Sequence, residues 1–411
     1  RVALFSENRF EWWVADQAIL SIGAVNVPVY ATNSAQEAFY VLDHSESSAC
    51  FVGTDEHLRK VLSIKSGLPK LKTIIMFDIP ENGADGAIPV TETWKTGDSC
   101  CDKSEFDARL REITLEDLAT IVYTSGTTGD PKGVMLTHGN IMSNIRQSIM
   151  DYLPVLTVDE VYLSMLPLSH VLERTLGYYL PISYGAKVAF AEGFQSVAQN
   201  FREVRPTIFY GVPRLFEKIH EGILSATSSA PSIQRNIFNF AMKTARKNLH
   251  YVCNGQRPGP LFRTRLNLME KLVYSKLKSM LGFDRLKLCL SGGGSLPMSV
   301  AEFFIGMGIL VYEGYGLTET SPLITANYPG SITPGSVGPA IMDTEVRLSD
   351  EGEILVKGPQ VMRGYYRDDD ATAVVFTEDG FLKTGDIGCF DSQGRLTITG
   401  RYRRFKGTRL P

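Results

Sequence analysis

The apolar positions of this chain switch between two periods, and the switching predicts its elements. Residues 1–5 read as a buried strand, Val-Ala-Leu-Phe behind Arg1. Between residues 11 and 22, Trp12, Ala15, Ile19 and Ile22 recur at helical spacing, and residues 24–30 return to strand character. Residues 35–45, 49–52, 56–64 and 73–77 continue the alternation. That rhythm predicts an α/β fold built on a doubly wound parallel sheet. Residues 79–104, rich in Gly, Asp, Thr and Pro, are expected to form a surface loop.

Two apolar runs, 118–122 and 134–136, flank a polar stretch and predict two strands joined by a loop. Beyond it Ile141, Ile145 and Ile149 share one helical face, and residues 160–166, 187–190 and 207–210 read as strands. Residues 231–281 are expected to form a helical insert, broken at 255–260. Strand signals return at 287–291 and 309–313. After Pro339, short runs at 344–348, 353–357, 389–390 and 395–399 alternate with the turns Asp350-Glu351-Gly352 and Asp391-Ser392-Gln393-Gly394. They predict a small β-barrel or meander.

The polar stretch itself, residues 123–133, reads Tyr-Thr-Ser-Gly-Thr-Thr-Gly-Asp-Pro-Lys-Gly. Its glycines let the backbone bend sharply, its hydroxyls and N–H groups suit oxygen anions, and Lys132 adds a mobile positive charge. This is the chemistry of a phosphate grip. It is not a Walker loop, because Gly129 is followed by Asp130-Pro131-Lys132-Gly133 and then by a strand instead of a helix.

Three later segments join this loop in a fixed order: Tyr315-Gly316-Leu317-Thr318-Glu319, Thr384-Gly385-Asp386 and Gly400-Arg401. Together they resemble the AMP-forming adenylating enzymes, the superfamily of acyl-CoA synthetases, luciferases and peptide-synthetase adenylation domains. The runs 291–297 (Ser-Gly-Gly-Gly-Ser-Leu-Pro) and 166–170 (Leu-Pro-Leu-Ser-His) look most like the long-chain fatty acyl-CoA synthetase branch. The resemblance covers nearly the whole chain. It implies the large N-terminal domain of the adenylate-forming fold, with α/β AMP-binding subdomains over 1–340 and a small β-rich subdomain over 341–400. Residues 401–411 would be an atypical hinge remnant with the C-terminal domain absent, since Arg404 stands where the family's hinge aspartate is expected. A fragment of this kind is expected to bind ATP but to form acyl-adenylate very slowly.

The implied reaction is ATP-dependent activation of a long-chain fatty acid to its acyl-adenylate with release of pyrophosphate. Thioester formation with coenzyme A then follows. An acyl-ACP synthetase, another carboxylate-activating ligase, or a nucleotide-binding fragment without turnover stay open as alternatives. Thr124, Ser125, Gly126, Thr127, Thr128, Gly129 and Lys132 would hold the β- and γ-phosphates. Glu319 is the candidate ligand for Mg²⁺, which favours carboxylate and phosphate oxygens, and by resemblance Thr127 joins it. Thr318 would donate its hydroxyl to the α-phosphate. Asp386 offers an acceptor to the ribose hydroxyls, with Arg401 beside it by resemblance. Gly293 and Gly294 permit close approach of adenine or an acyl chain, and Gly314, Tyr315 and Gly316 repeat that logic with a ring to stack on adenine. The resemblance places His170 near the substrate carboxylate.

Composition narrows this further. The 411 residues are 44% hydrophobic and 21% charged, ordinary for a globular protein. A net charge of −3 argues against nucleic acid as a partner. Six scattered cysteines suggest neither a disulfide framework nor a metal cluster. The absence of a long apolar run leads to the expectation of a cytoplasmic protein, with peripheral contact on a membrane as the alternative. Residues 231–281 hold ten basic residues against Glu270 alone, with aromatic side chains interleaved. That insert is either a solvated helical face or a contact for an anionic membrane surface.

Overall fold

Val2–Phe5 pairs in parallel with Asn26–Val29 on one side and with Ala49–Val52 on the other, as the opening strand–helix–strand rhythm requires. In this computed structural model, which describes residues 1–79, 83, 86–100, 102–124, 130–152 and 157–402, these strands are the centre of an eight-stranded sheet. Its order is Gly364–Tyr365, Lys132–Thr137, Leu118–Thr124, Asn26–Val29, Val2–Phe5, Ala49–Val52, Thr73–Met76 and Ile88–Pro89. The pairings are parallel except where Lys132–Thr137 meets Leu118–Thr124 and Gly364–Tyr365.

A second sheet of six strands runs Leu323–Ala326, Val311–Gly316, Leu288–Ser291, Ile208–Gly211, Val161–Ser164 and Lys187–Phe190, parallel but for the first. The third is antiparallel: Glu345–Leu348, Glu353–Lys357, Leu382–Phe390 and Leu396–Arg401. Among the described residues this third sheet takes the meander form of the two expected. One apolar cluster includes Leu4 and Leu136 of the first sheet, Tyr162 and Leu290 of the second, and Val356 and Leu382 of the third. It thereby locks the three together, because close-packed interiors resist relative sliding.

The helices follow their periodicity. Phe10–Ser21 buries Trp12, Ala15 and Ile19, and it also buries Asp16. Ala35–His44 starts on a capping box, Ser34 Oγ accepting from the Glu37 N–H while the Glu37 carboxylate accepts from the Ser34 N–H. His138–Tyr152 buries Ile141 and Ile145; the side chain of Ile149 lies outside the described residues. The expected surface loop at 79–104 is corrected in part. Ile88–Pro89 adds an edge strand, and Val90–Cys100 is a helix whose Val90 packs into the core beside Phe77. Val90 is the one buried residue of that helix, so it is anchored at its first turn and its remaining length rests on local helix formers such as Glu92 and Lys95 despite Gly97.

The helical insert breaks where the sequence breaks. Ser232–Cys253 ends before Gly255, which adopts φ +62°, and the next helix starts with Pro260 at its first position. Ser232–Cys253 lies backbone to backbone on Met298–Gly306: a Cβ at Gly306 would stand 2.7 Å from the Ala245 carbonyl oxygen. Among the described residues, no helix is long and apolar enough to cross a membrane.

Candidate active site

The hairpin of the first sheet sets Thr124 directly opposite Lys132. Its tip, with Ser125, Gly126, Thr127, Thr128 and Gly129, lies outside the described residues. From the hairpin's far edge the short strand Gly364–Tyr365 projects a ring beneath the lysine, Nζ standing 4.9 Å from the Tyr365 centroid. The hydroxyl of Tyr365 then donates to Glu319 Oε1 at 2.8 Å. Lys132 and Glu319, 187 positions apart in sequence, therefore share one cleft.

Glu319 sits in the tight turn Thr318–Thr320 that ends the strand Val311–Gly316. The turn is held from inside, Thr320 Oγ1 accepting from the Leu317 N–H, and from outside, Met362 N–H donating to the Glu319 carbonyl at 2.8 Å. Thr318 lines the same cleft. Gly316 is a glycine for a physical reason: a Cβ there would stand 1.7 Å from the Pro322 carbonyl oxygen. Gly293, at φ +76°, turns the chain at the end of Leu288–Ser291.

Asp386 is nearly buried between two partners. Tyr315 donates its hydroxyl to Oδ2 at 2.7 Å, and Arg401 pairs with Oδ1 at 2.9 Å across the register of the third sheet. Tyr315 was expected to offer a ring to adenine; its hydroxyl is anchored to the carboxylate read as the ribose acceptor. Gly294, Asp386 and Arg401 line a second cleft of about 530 Å³ that continues from the first, of about 430 Å³, through Gly293, Tyr315 and Gly316.

His170 faces the first cleft from the second sheet's side. The Leu172 N–H donates to its Nδ1 at 3.2 Å, so the ring proton of the neutral imidazole is on Nε2. Burial holds its pKa below the ordinary histidine value. The native state then disfavours the imidazolium, and stability present above the unfolded value of about 6.5 is lost as pH falls below it. His44, His138 and His220 are shifted the same way, again by burial first. His170→Gln is expected to make the loss of stability between about pH 7 and pH 5.5 shallower without abolishing it. Guanidinium unfolding at both pH values measures this, and an unchanged slope would remove His170 from the account.

Two cleft residues were missed in the sequence. Tyr365 gave no signal, since a two-residue strand has no period. Glu313, two positions before Tyr315, was read only as the end of a strand. Burial pushes its carboxyl up to about 7, and Gly335 N–H donates to its Oε2 at 3.1 Å. Among the described residues no cluster of three or more His, Cys, Asp or Glu could by itself hold a metal ion. A lone carboxylate, with one oxygen already held by Tyr365, fits a magnesium ion carried in on phosphates and does not fit a resident metal cage.

The hairpin strands bearing Thr124 and Lys132, the turn bearing Thr318 and Glu319, and the Asp386–Arg401 pair of the third sheet surround one continuous cleft. The chain belongs to the AMP-binding enzyme family, which it matches over residues 1–366. Among its relatives, the long-chain-fatty-acid–CoA ligase FadD15 of Mycobacterium bovis is 36% identical over 407 residues, 98% of this chain and 65% of that protein. The peroxisomal long chain acyl-CoA synthetase 7 of Arabidopsis thaliana is 34% identical over 427 residues, 98% of this chain and 58% of that protein. The chain thus spans less than two thirds of the length of either. The crystal structure of a long-chain-fatty-acid-CoA ligase (FadD1) from Archaeoglobus fulgidus has the same fold, with a TM-score of 0.71 at 20% identity over 97% of this chain and 72% of that one.

Proposed function

We propose that this chain provides the ATP-binding and carboxylate-activating site of a fatty acyl-CoA synthetase. A carboxylate oxygen of the acid attacks the α-phosphorus of ATP, the bond from that phosphorus to the bridging oxygen breaks, and pyrophosphate leaves with the bond's electrons. The thiol sulfur of coenzyme A next attacks the acyl carbon, and AMP departs.

The observation that carries the reading is the single cleft holding Lys132, Thr318, Glu319 and His170. The reaction must bring two anions together, and each of these groups lowers that cost. Lys132 sets a cation against the phosphates, Thr318 offers a hydroxyl, and the Nε2–H of a neutral His170 donates to the acid's carboxylate. Glu319 would hold Mg²⁺, which when bound neutralises charge on the departing phosphates. The Asp386 and Arg401 pair would take the ribose hydroxyls. Leu290 and Leu323 line the cleft and also a small apolar cavity of about 20 Å³ closed by Leu176, Leu180 and Tyr210, so an acyl chain entering there would have to part these side chains.

Asp386→Ala is expected to weaken ATP binding, since hydrogen bonds to a charged acceptor are worth about 1.5–3 kcal/mol, on the order of 10- to 150-fold in Kd. Calorimetric titration with ATP measures it, with Asp386→Asn intermediate. The reaction itself is tested by pyrophosphate release from ATP with and without palmitate. Release that ignores the added acid, at any rate, would contradict the reading.

A further inference from the structure

The helical unit within residues 231–281 carries an outer surface that the proposed reaction does not use. Ser232–Cys253 packs inward through Phe238, Ala241, Thr244 and Ala245, leaving Ile233, Ile237 and Phe240 on its solvent side. The following helix runs back along it. Tyr251 meets Phe262 at 5.6 Å between ring centroids, and Arg265 donates to Thr244 Oγ1 while lying 4.2 Å over the Phe240 ring. On this second helix, Pro260–Met269, and its π-helical continuation Glu270–Tyr274, Leu261, Leu268 and Leu272 recur at spacings of seven and four, and all three are exposed, Leu261 at 89%. Six large apolar side chains on two antiparallel helices therefore face water.

The charges around them have one sign. Lys243, Lys247, Lys271 and Lys276 are exposed beside this stripe. Of the ten basic residues between 231 and 281, Lys278 is the one that forms an ion pair among the described residues, with Glu270 at 3.1 Å. Isolated cations around exposed leucines make a poor solvated face, because water gains nothing from the leucines. They make a good interfacial one, where apolar side chains enter the boundary of the acyl region and lysines meet anionic headgroups.

We infer that this helical pair docks on an anionic lipid surface, lying in the plane of the interface. Arg265 lies over Phe240 in the seam between the helices, and the groove on the other side of Ser232–Cys253, where Lys243 and Arg246 meet Glu302, already carries an acidic side chain of its own. Every residue concerned is outside the catalytic cleft, and the inference stands whether or not the catalytic reading does.

Co-sedimentation tests it, using phosphatidylcholine vesicles with and without phosphatidylserine. The wild-type chain is expected to bind the mixed vesicles and to bind pure phosphatidylcholine weakly. Each Lys or Arg near an anionic surface contributes about a fivefold factor. The variant with Lys243, Lys247, Lys271 and Lys276 all changed to Gln is then expected to lose on the order of 600-fold in partition. Leu268→Gln with Leu272→Gln should also lose binding, and Leu268→Trp should shift its emission to the blue on the mixed vesicles. All these positions are exposed, and circular dichroism checks that each variant folds. Equal binding by wild type and the four-lysine variant would overturn the inference. So would loss of binding with the lysines but none with the leucines, the result expected if the face reads a polyanion or an acidic protein instead.

Discussion

Replacing Arg174 by alanine is expected to destabilise the fold by about 3–5 kcal/mol, the range for breaking one side of a buried ion pair. Asp16 is fully buried and Arg174 is 2% exposed, so neither charge has water to fall back on. The guanidinium bonds to Asp16 Oδ1 at 2.5 Å, to Thr120 Oγ1 at 2.7 Å and to the Tyr179 hydroxyl at 2.9 Å. That hydroxyl in turn donates to Asp16 Oδ2, and Asn26 Nδ2 to Oδ1. Deleting the arginine strands a carboxylate with two neutral donors in the core. Arg174→Lys keeps the charge but supplies no planar fork and should recover little. Asp16→Asn with Arg174→Met should cost clearly less than the two single changes added, because the stranded charge disappears with its partner. Guanidinium unfolding of the wild type, the two single variants and the double variant checks the cycle; additive costs would mean that the two residues do not act as a pair.

This network also explains the placing of His170. Asp16, Asn26 and Thr120 belong to the first sheet and its opening helix, whereas Arg174 and Tyr179 lie in the π-helical turn Glu173–Tyr179, which follows the cleft-lining residues His170 to Leu172. The salt bridge ties the histidine's segment to the sheet that holds the Lys132 hairpin. Nothing in the run Ser-His-Val-Leu-Glu-Arg announced it. A buried Arg and a buried Asp 158 positions apart carry no local period, and each alone reads as a surface residue.

Elsewhere the sequence was more legible, for identifiable reasons. The strand–helix alternation of residues 1–77 was readable because each helix buries one stripe and each strand is short and apolar, and its predicted edges fall within one or two residues of the observed ones. The hairpin was readable because two apolar runs bracket a loop of glycines and hydroxyls. Gly364–Tyr365 was not, since two residues are too few for a pattern and their place is decided by pairing with Lys132–Thr137. The same limit hid the Tyr365 contact with Glu319. Residues 382–388 were missed as part of a long strand because Lys383, Thr384, Gly385 and Asp386 spell a turn locally, and the strand keeps that turn as a bulge: Gly385 adopts φ +74° between Lys383, paired with Leu355, and Ile387, paired with Glu353.

Glu319→Gln is expected to split the binding of ATP by metal. With Mg²⁺ present, affinity should fall by at least the roughly 10- to 100-fold seen when even an outer partner of a metal ligand is lost. With the metal chelated the sign should reverse. A carboxylate in the same cleft as Lys132 repels a bare polyphosphate, and two unit charges some 8 Å apart at an effective dielectric of about 20 oppose each other by ~2 kcal/mol. Removing the charge should then tighten metal-free ATP by up to about 30-fold. Tyr365→Phe leaves the carboxylate but frees it from its hydroxyl donor, so it should weaken the Mg²⁺ complex by a smaller factor and leave metal-free binding nearly unchanged. Lys132→Ala should weaken both forms, because it removes a cation from phosphates whether or not they carry a metal. Calorimetric titrations in Mg²⁺ and in chelator measure all four proteins. If Glu319→Gln weakens ATP equally in both conditions, the carboxylate only braces Tyr365 and the shape of the cleft, and the magnesium has to be held by the phosphates without it.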